Sequence, residues 1–333
     1  MAGLKLTIED VARVAGVSRA TVSRVLNDLP GATEAVRVRV RKVIAEMGYV
    51  PDPTARALAS GQQPAIDVVV VAPESAIGWI GSHPYYSRVL AGIMTALDGR
   101  DVQLRIHNAA GPDAAETVDA IARRVTLGAV LADTPPALAS RFQRRCRRLV
   151  SLVATADSVP AVEADNAGGA YAAVTYLHRL GRRRIAAIHG PDDSSCGVNR
   201  RTGYLRAIGE LGLEDLSAGG GFRREVGFRA ARHLLDEYPD VDAMFVACDL
   251  MAAGALQAIT ATGRRVPQDV SVVGFDDSIA AVCANPPLST MRMPVEDMAA
   301  AATRLLLGGS VPAGYRQRFP VELVLRESTR QCP

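Results

Sequence analysis

The sequence predicts an α/β protein built from two kinds of unit. An N-terminal helix-turn-helix of three short helices precedes a core of two doubly wound parallel-sheet subdomains. Three observations lead there. Between Thr7 and Met47 apolar residues recur at helical spacing in three runs, separated by glycine or a capping residue. From Ile66 onward, short β-branched runs alternate with helical stretches of roughly 10 to 18 residues. The chain has 333 residues, 48% of them apolar. That is enough for about two or three domains, and no apolar run approaches the ~20 residues that a membrane helix needs.

The first helix follows from "TIEDVARVAG". Thr7 and Asp10 have the spacing of a capping pair, Ile8, Val11, Ala12 and Ala15 share one face, and Gly16 ends the run. Ser18 can cap the second helix, which sends Val22, Val25 and Leu26 inward and leaves Arg19, Ala20, Ser23 and Arg24 outward. Thr33 opens a third pattern of Val36, Val40, Ile44 and Met47 that stops at Gly48. Such a trio can bury one small core and offer its second helix to a major groove, although the same pattern also fits a plain helical hairpin. Charge separates the two readings. The net charge is +3; residues 1–64 hold nine Lys/Arg against six Asp/Glu, which leaves 29 of each elsewhere. All of the excess positive charge therefore sits where a phosphate backbone would bind.

The next segment, "YVPDPTARALASGQQP", reads either as a linker or as a short helix capped by Asp52 with Pro53 in its first turn. Beyond it come the apolar runs "IDVVVVA", "VQLRIH", "GAVLA" and "LVSLVA", then "RIAAIHG", "AMFVA" and "VSVVGF". Near-continuous apolar strands with helices between them imply parallel sheets covered on both faces. Two such sets, divided near Val162 to Asp165, place a cleft at the strand ends. Asp165, Arg200, Asp249 and Asp276 each follow an apolar run or open a helix, which makes them candidate cleft residues as well as ordinary caps.

Other chemistry finds little support. No G-x-G-x-x-G, P-loop or G-x-S-x-G motif occurs, so neither a nucleotide cofactor nor catalysis is expected. Five widely spaced cysteines (Cys146, Cys196, Cys248, Cys283, Cys332) lack C-x-x-C or metal-ligand spacing, so no disulfide framework or metal site is expected. The N-terminus lacks the pattern of a secretory signal, and a cytoplasmic location is expected. The arginine run "RFQRRCRRL", Arg141 to Leu149, has no interleaved aromatics and reads as a solvated helix face.

The string "TIEDVARVAGVSRATVSRVLN" is similar, position by position, to the DNA-binding headpiece of the lactose-repressor (LacI/GalR) family, whose pattern is roughly T-x-x-D-V-A-x-x-A-G-V-S-x-x-T-V-S-R-V-L-N. The likeness runs on to the closing "LVLREST". It implies a headpiece at 1–50, a hinge helix or linker at 51–64, and a periplasmic-binding-protein-like core for ligand binding and dimerisation at 65–333. The core would divide into an N-subdomain, about 65–163 plus 292–319, and a C-subdomain, about 164–291 plus 320–330. No leucine heptad follows, so a homodimer on an inverted-repeat operator is implied.

Residue by residue, the resemblance implies DNA contacts by Thr7, Ser18, Arg19, Ala20, Thr21, Ser23, Arg24, Asn27, Tyr49, Ala55, Arg56 and Leu58. Arg19, Ala20 and Arg24 would face bases, and Leu58 would wedge a base step in the minor groove. Ligand contacts would come from Tyr85, Tyr86, Arg200, Phe222 and Asp276, joined by Asp165, Cys248 and Asp249. Cys248 stands where sugar-responsive relatives often carry asparagine. An extended loop bearing Trp79 resembles that of actinobacterial cello-oligosaccharide regulators, which implies a di- or oligosaccharide effector. The reading is a DNA-binding transcriptional repressor released by a small sugar. A co-repressor-dependent regulator responding to a non-sugar metabolite, or a cytoplasmic sugar-binding protein without regulatory role, stands as the alternative.

Overall fold

The computed structural model describes residues 6–26, 30–49, 63–71, 81 and 83–330. The chain divides into two compact units, residues 1–64 and 65–333. Asn27, Ala55, Arg56, Leu58, Trp79 and the implied hinge helix lie outside the described residues, as does Cys332.

In the first unit, α1 (Ile8–Ala15) starts as its sequence dictates. Thr7 Oγ1 accepts from the Asp10 amide at 3.3 Å, and the Asp10 carboxylate answers the Thr7 amide at 3.0 Å. Gly16 ends the helix in the left-handed region, at φ 64°. Helix α2 (Arg19–Leu26) is capped by Ser18 Oγ, which accepts from the Thr21 amide at 3.1 Å. Helix α3 (Glu34–Met47) has Thr33 in the cap position, but the threonine side chain makes no capping bond. Val11, Ala12, Ala15, Val22, Val25, Val40 and Val43 form the small core, with Tyr49 closing it. Val43 joins a stripe that spacing alone assigns to Val36, Val40, Ile44 and Met47, because α3 packs on both α1 and α2 and buries a wider arc.

The second unit contains two six-stranded sheets. The first has the order β11-β5-β4-β3-β1-β2, with β1 Ala65–Val70, β2 Gln103–Asn108, β3 Gly128–Ala132, β4 Leu149–Ser151, β5 Ala161–Ala164 and β11 Arg316–Phe319. The second has the order β12-β10-β9-β8-β6-β7, with β6 Ile185–Ile188, β7 Leu216–Ala218, β8 Ala243–Val246, β9 Ser271–Asp276, β10 Ser289–Arg292 and β12 Glu322–Val324. All pairings are parallel except β10 with β12. The antiparallel edge departs from the expected all-parallel pattern because the chain returns from β11 in the other sheet.

Alternation along the strands sorts side chains to the two faces of each sheet. Ile66, Val68 and Val70 meet α4 (Pro84–Leu97) and α12 (Val295–Leu307), whereas Val69 joins the core on the other face with α5 (Ala114–Arg124) and α6 (Pro136–Arg145). In the second sheet, Ala187, Phe245 and Phe275 face α7 (Asn166–Arg179) and α8 (Ser195–Leu211). Met244, Val246 and Val272 face α9 (Arg224–Glu237) and α10 (Asp249–Ala261). A one-turn helix, α11 (Ile279–Val282), follows β9. Among the described residues no helix is long and apolar enough to cross a membrane.

The chain crosses between the sheets three times: from β5 into α7, from β10 into α12, and from β11 into β12. Both early crossovers leave the carboxyl ends of strands, so the cleft between the subdomains is lined by strand ends. Helices α7 and α8 approach closely at Gly203, where an added Cβ would lie 2.1 Å from the Ala167 carbonyl oxygen. Gly203→Ala is therefore expected to destabilise the chain by about 1–3 kcal/mol, because backbone must move to admit the methyl group. Urea denaturation of the two proteins measures it.

Candidate functional site

The cleft gathers side chains from six strand ends and from the helices that follow them. Its wall on the first subdomain comes from His83, Tyr85 and Tyr86 at the start of α4, Asp133 after β3, and Leu152 and Val153 after β4. The opposite wall comes from Cys196 and Arg200 on α8, Phe222 before α9, Cys248 after β8 and Asp276 at the end of β9. Asn166 and Met293 sit at two of the crossovers. The inner space is narrow, about 40 Å³. Outside it lies a recess of about 610 Å³ that shares Asp133 and Phe222 with the inner space and is further lined by Val71, Ala110, Asp193 and Ser194.

Arg200 is the centre of the inner wall and is 2% exposed. Its Nε donates to Asn166 Oδ1 at 2.8 Å, and Nη1 donates to the Ala247 carbonyl and lies 3.2 Å from Asp276 Oδ1. The guanidinium carbon sits 3.8 Å from the centre of the Phe275 ring. The helix start that carries Arg200 is pinned across the cleft, where Ser194 Oγ donates to Asp133 Oδ1 at 3.0 Å.

Asp276 adopts φ 116° and Asp277 φ 54°, backbone conformations that non-glycine residues seldom take. Arg88 on α4 holds this turn from the other subdomain. Its Nη1 donates to the Asp276 carbonyl at 2.7 Å and Nη2 to the Met293 carbonyl at 2.9 Å, while Glu296 clamps the guanidinium with two bonds of 2.7 Å. Asp277 is held by Arg292 at 2.7 Å and Arg326 at 2.5 Å.

Burial disfavours the charged form of most titratable groups here. It raises Asp133 above its ordinary value, against the Ser194 hydroxyl bond, and pushes Cys196 up to about 11 and Cys248 well above its ordinary value. Tyr85 and Tyr86 are raised for the same reason. His83 is pulled down to about 4 by burial, and a backbone hydrogen bond with Phe222 only partly offsets this. The Arg200–Asp276 pair thus stands among rings and groups whose ionisation burial disfavours.

Two of the expected ligand residues face elsewhere. Asp165 caps α7, accepting from the Gly168 amide at 3.0 Å, and its neighbour Asn166 is the residue that reaches Arg200. Asp249 is fully buried and accepts from the Ser278 amide at 2.7 Å and the Thr290 hydroxyl at 2.6 Å, so it braces the turn behind Asp276. Its pKa rises to about 8 through burial first and the Asp276 carboxylate second. Cys248, one residue earlier, lines the cleft and also caps α10 through its sulfur. The structure adds Asp133, Asn166, Cys196 and Met293 to the lining and Arg88 behind it, and it places His83 of the extended first loop in the lining, as its position near the cleft mouth implied. Asp133 carries the same signal as the other candidates, an aspartate just after the apolar run "GAVLA". Among the described residues no cluster of three His, Cys, Asp or Glu has the geometry to hold a metal ion.

In the first unit, Ser18, Arg19, Ala20 and Arg24 are exposed along α2, with Thr21 and Ser23 half-buried. Arg19 Nε lies 3.2 Å from Glu9 on α1. Arg24 passes over the turn at Gly31, whose φ of 106° is one that side-chain-bearing residues rarely adopt. Thr7 is exposed but serves as the cap of α1, and Tyr49 is buried in the unit's core. The Thr7 hydroxyl is engaged with Asp10 at 2.8 Å, and the Tyr49 side chain closes the core at 9% exposure.

A basic, outward-facing second helix on a compact three-helix unit, followed by a two-subdomain cleft, defines a ligand-responsive DNA-binding regulator. Residues 7–52 match the model of the bacterial regulatory proteins of the lacI family, and residues 174–329 match that of the periplasmic binding protein-like domain. The chain is 36% identical to the transcriptional regulator CelR of Thermobifida fusca, covering 97% of this chain and 98% of the relative. It is 31% identical to the repressor CytR of Escherichia coli K12, covering 98% and 97%. Among solved structures, a CelR–cellobiose complex superposes with a TM-score of 0.73 at 33% identity, covering 97% of this chain and 99% of that one. The Lac repressor dimer bound to operator and the anti-inducer ONPF gives 0.72 at 28% identity, covering 98% and 99%. The chain belongs to the LacI family of transcriptional regulators.

Two buried histidines make stability depend on pH. His83 and His189 are both pulled down to about 4, chiefly by burial, from an ordinary value of 6.5. A base with a depressed folded pKa contributes its full stability above the unfolded value and loses it as pH falls toward the folded one. Between pH 6.5 and 4 the stability of His189→Gln, read from urea midpoints, is expected to fall less steeply than that of the wild type, by up to about 1.4 kcal/mol per pH unit.

Proposed function

We propose that this chain is a dimeric cytoplasmic repressor whose operator binding is released by a neutral di- or oligosaccharide, with a β-linked glucose disaccharide such as cellobiose as the first candidate. The observation that carries this is the chemistry of the cleft. One buried Arg–Asp pair, Arg200 with Asp276, stands among groups whose charged forms burial disfavours, beside the rings of Phe222 and Tyr85. A sugar presents hydroxyls to the first and a C–H face to the second. Burial disfavours the ionised forms of the groups around the pair, which favours a neutral effector. The outer recess is of the size that ligand pockets usually have, and its shared lining with the inner space suits a ligand longer than one ring. The complex of CelR with cellobiose supports the same class. Cys196 and Cys248, the thiols in the cleft, are held protonated, so nucleophilic catalysis is not part of this reading.

In the headpiece, Ser18, Thr21 and Ser23 hold phosphates while Arg19, Ala20 and Arg24 face bases, with arginine suited to guanine. Arg24→Ala is expected to cost about 1–3 kcal/mol of operator affinity and to relax base preference at one position of each half-site. Anisotropy titrations with single-substituted operator duplexes check it; an unchanged preference would remove Arg24 from base reading.

The effector reading is tested with Asp276→Asn, which keeps the shape of the side chain and removes its charge. Cellobiose is expected to lower operator affinity of the wild type. The variant, still bound to operator and melting as a folded protein, is expected to need at least about tenfold more, equivalent to ~1.4 kcal/mol of lost differential binding. Operator release by no glycoside, or an unchanged response of the variant, would overturn the assignment.

A further inference from the structure

We propose that the core carries a second DNA-contacting surface, an arginine face on the first subdomain that binds phosphates without reading sequence. It rests on the DNA-binding reading above and adds to the headpiece a contact made by the core itself.

Outside residues 1–64 the chain has equal numbers of acidic and basic side chains, yet they are not evenly spread. Five arginines fall within Arg141–Arg148 with no acidic residue among them, and Arg123 and Arg124 end α5 beside them. The structure places this cluster where the chain enters the core. The Ala65 amide donates to Thr126 Oγ1 at 2.8 Å, and Arg148 Nη1 donates to the Thr126 carbonyl at 2.7 Å. The Arg148 carbonyl in turn accepts from the Ala129 amide at 2.8 Å. The ends of α5 and α6 and the start of β1 thus share one edge of the subdomain.

On this edge Arg123, Arg124, Arg144 and Arg147 are exposed and make no ion pair among the described residues. The nearest acid of the helices, Asp119, is buried beneath Arg141 and Arg145, at 2.9 and 3.0 Å. The loop before β2 carries Arg100 between Asp98 and Asp101, one net negative charge, which leaves the excess in place. Helix dipoles account for a pair of arginines in each last turn, at about 0.3–1 kcal/mol apiece. They do not account for Arg147 and Arg148, which lie beyond α6.

The occupant follows from the tether. Residues 50–64 are the only chain between the headpiece and Ala65, and fully extended they span at most about 50 Å. DNA held by the headpiece is therefore presented to the arginine edge as an intramolecular partner at high effective concentration. A face of guanidinium groups without aromatics fits phosphate oxygens, which fix position and carry no sequence information.

The test uses the full chain and an operator duplex of about 40 bp selected from a random pool, titrated from about 50 to 400 mM salt. Replacing Arg123, Arg124, Arg144 and Arg147 by Gln is expected to make the slope of log K against log salt shallower by about 2 to 4. Affinity near 150 mM should fall at least tenfold and converge with the wild type at high salt. R144Q/R147Q alone should give about half the change in slope. A charge-matched variant of the second subdomain, with Arg201, Arg206, Arg229 and Arg232 changed to Gln, should keep the wild-type slope. Parallel lines for the wild type and the arginine-edge variant, or equal changes in both quadruple variants, would overturn the proposal. So would an unchanged DNA slope with loss of binding to phosphatidylserine vesicles. Failure of the headpiece reading shows differently, as recovery of no duplex by the wild type.

Discussion

A guanidinium buried at the meeting point of two sheets sets the constraint that the cleft must satisfy. Taking Arg200 out of water costs several kcal/mol unless each of its donors finds an acceptor. The fold supplies them from four directions: Asn166 at a crossover, the Ala247 carbonyl after β8, Asp276 after β9, and the π face of Phe275. The close approach of α8 to α7 through Gly203 brings the side chain near enough for all four. Losing Asp276 as a carboxylate leaves the cation without its charge partner, so this aspartate is both a cleft-lining group and a structural one. The same residue carries an unfavourable φ, which persists because Arg88 and Asp249 hold the turn from either side.

Arg88 links that strain to the other subdomain. It sits on α4, one turn from Tyr85, and it bonds the backbone at Asp276 and at Met293, where the chain crosses between sheets. A change in the Asp276 turn therefore displaces a group clamped to Glu296 on α12, the helix that packs against α4. Both helices belong to the subdomain whose first strand begins where the headpiece segment ends. Coupling by this route needs no long wire; it needs two arrangements of one turn that both sites bias.

How much of this was legible in the sequence depended on whether the controlling interactions were local. The headpiece was, because Thr7 with Asp10, Gly16, Ser18 and Gly48 act within one turn of themselves. The central strands were, because residues buried on both faces leave unbroken apolar runs. Strands β7, β11 and β12 were not, since edge strands such as "RQRF" alternate with solvent and carry no hydrophobic signature. In the cleft, the rule that acidic residues follow apolar runs found Asp276 but could not tell which way a side chain turns. It selected Asp165 and Asp249, which cap and brace, and missed Asn166, which lines the space; Cys248 was reached only through the family resemblance. Arg88 gave no signal at all, because its partners Asp276 and Glu296 lie about two hundred residues away along the chain.

The energetic scale of cleft closure follows from the groups that span it. The described state is narrow, and its direct polar ties across the walls include Ser194 to Asp133 and Arg88 to the Asp276 carbonyl. A neutral hydrogen bond contributes about 0.5–1.5 kcal/mol and one to a charged group about 1.5–3. These ties together therefore favour closure by only a few kcal/mol, while three covalent crossovers keep the two walls in register whichever arrangement they take. A gap of that size is what ligand binding can overcome, since a 10⁴-fold difference in affinity between two arrangements corresponds to about 5.5 kcal/mol. Asp133 is well placed to convert occupancy into that difference. It lines both the inner space and the outer recess, and burial already disfavours its charge. In the reading proposed above, a sugar hydroxyl donated to Asp133 would compete directly with Ser194, so the group that ties the walls together is also one that an occupant of either space would meet.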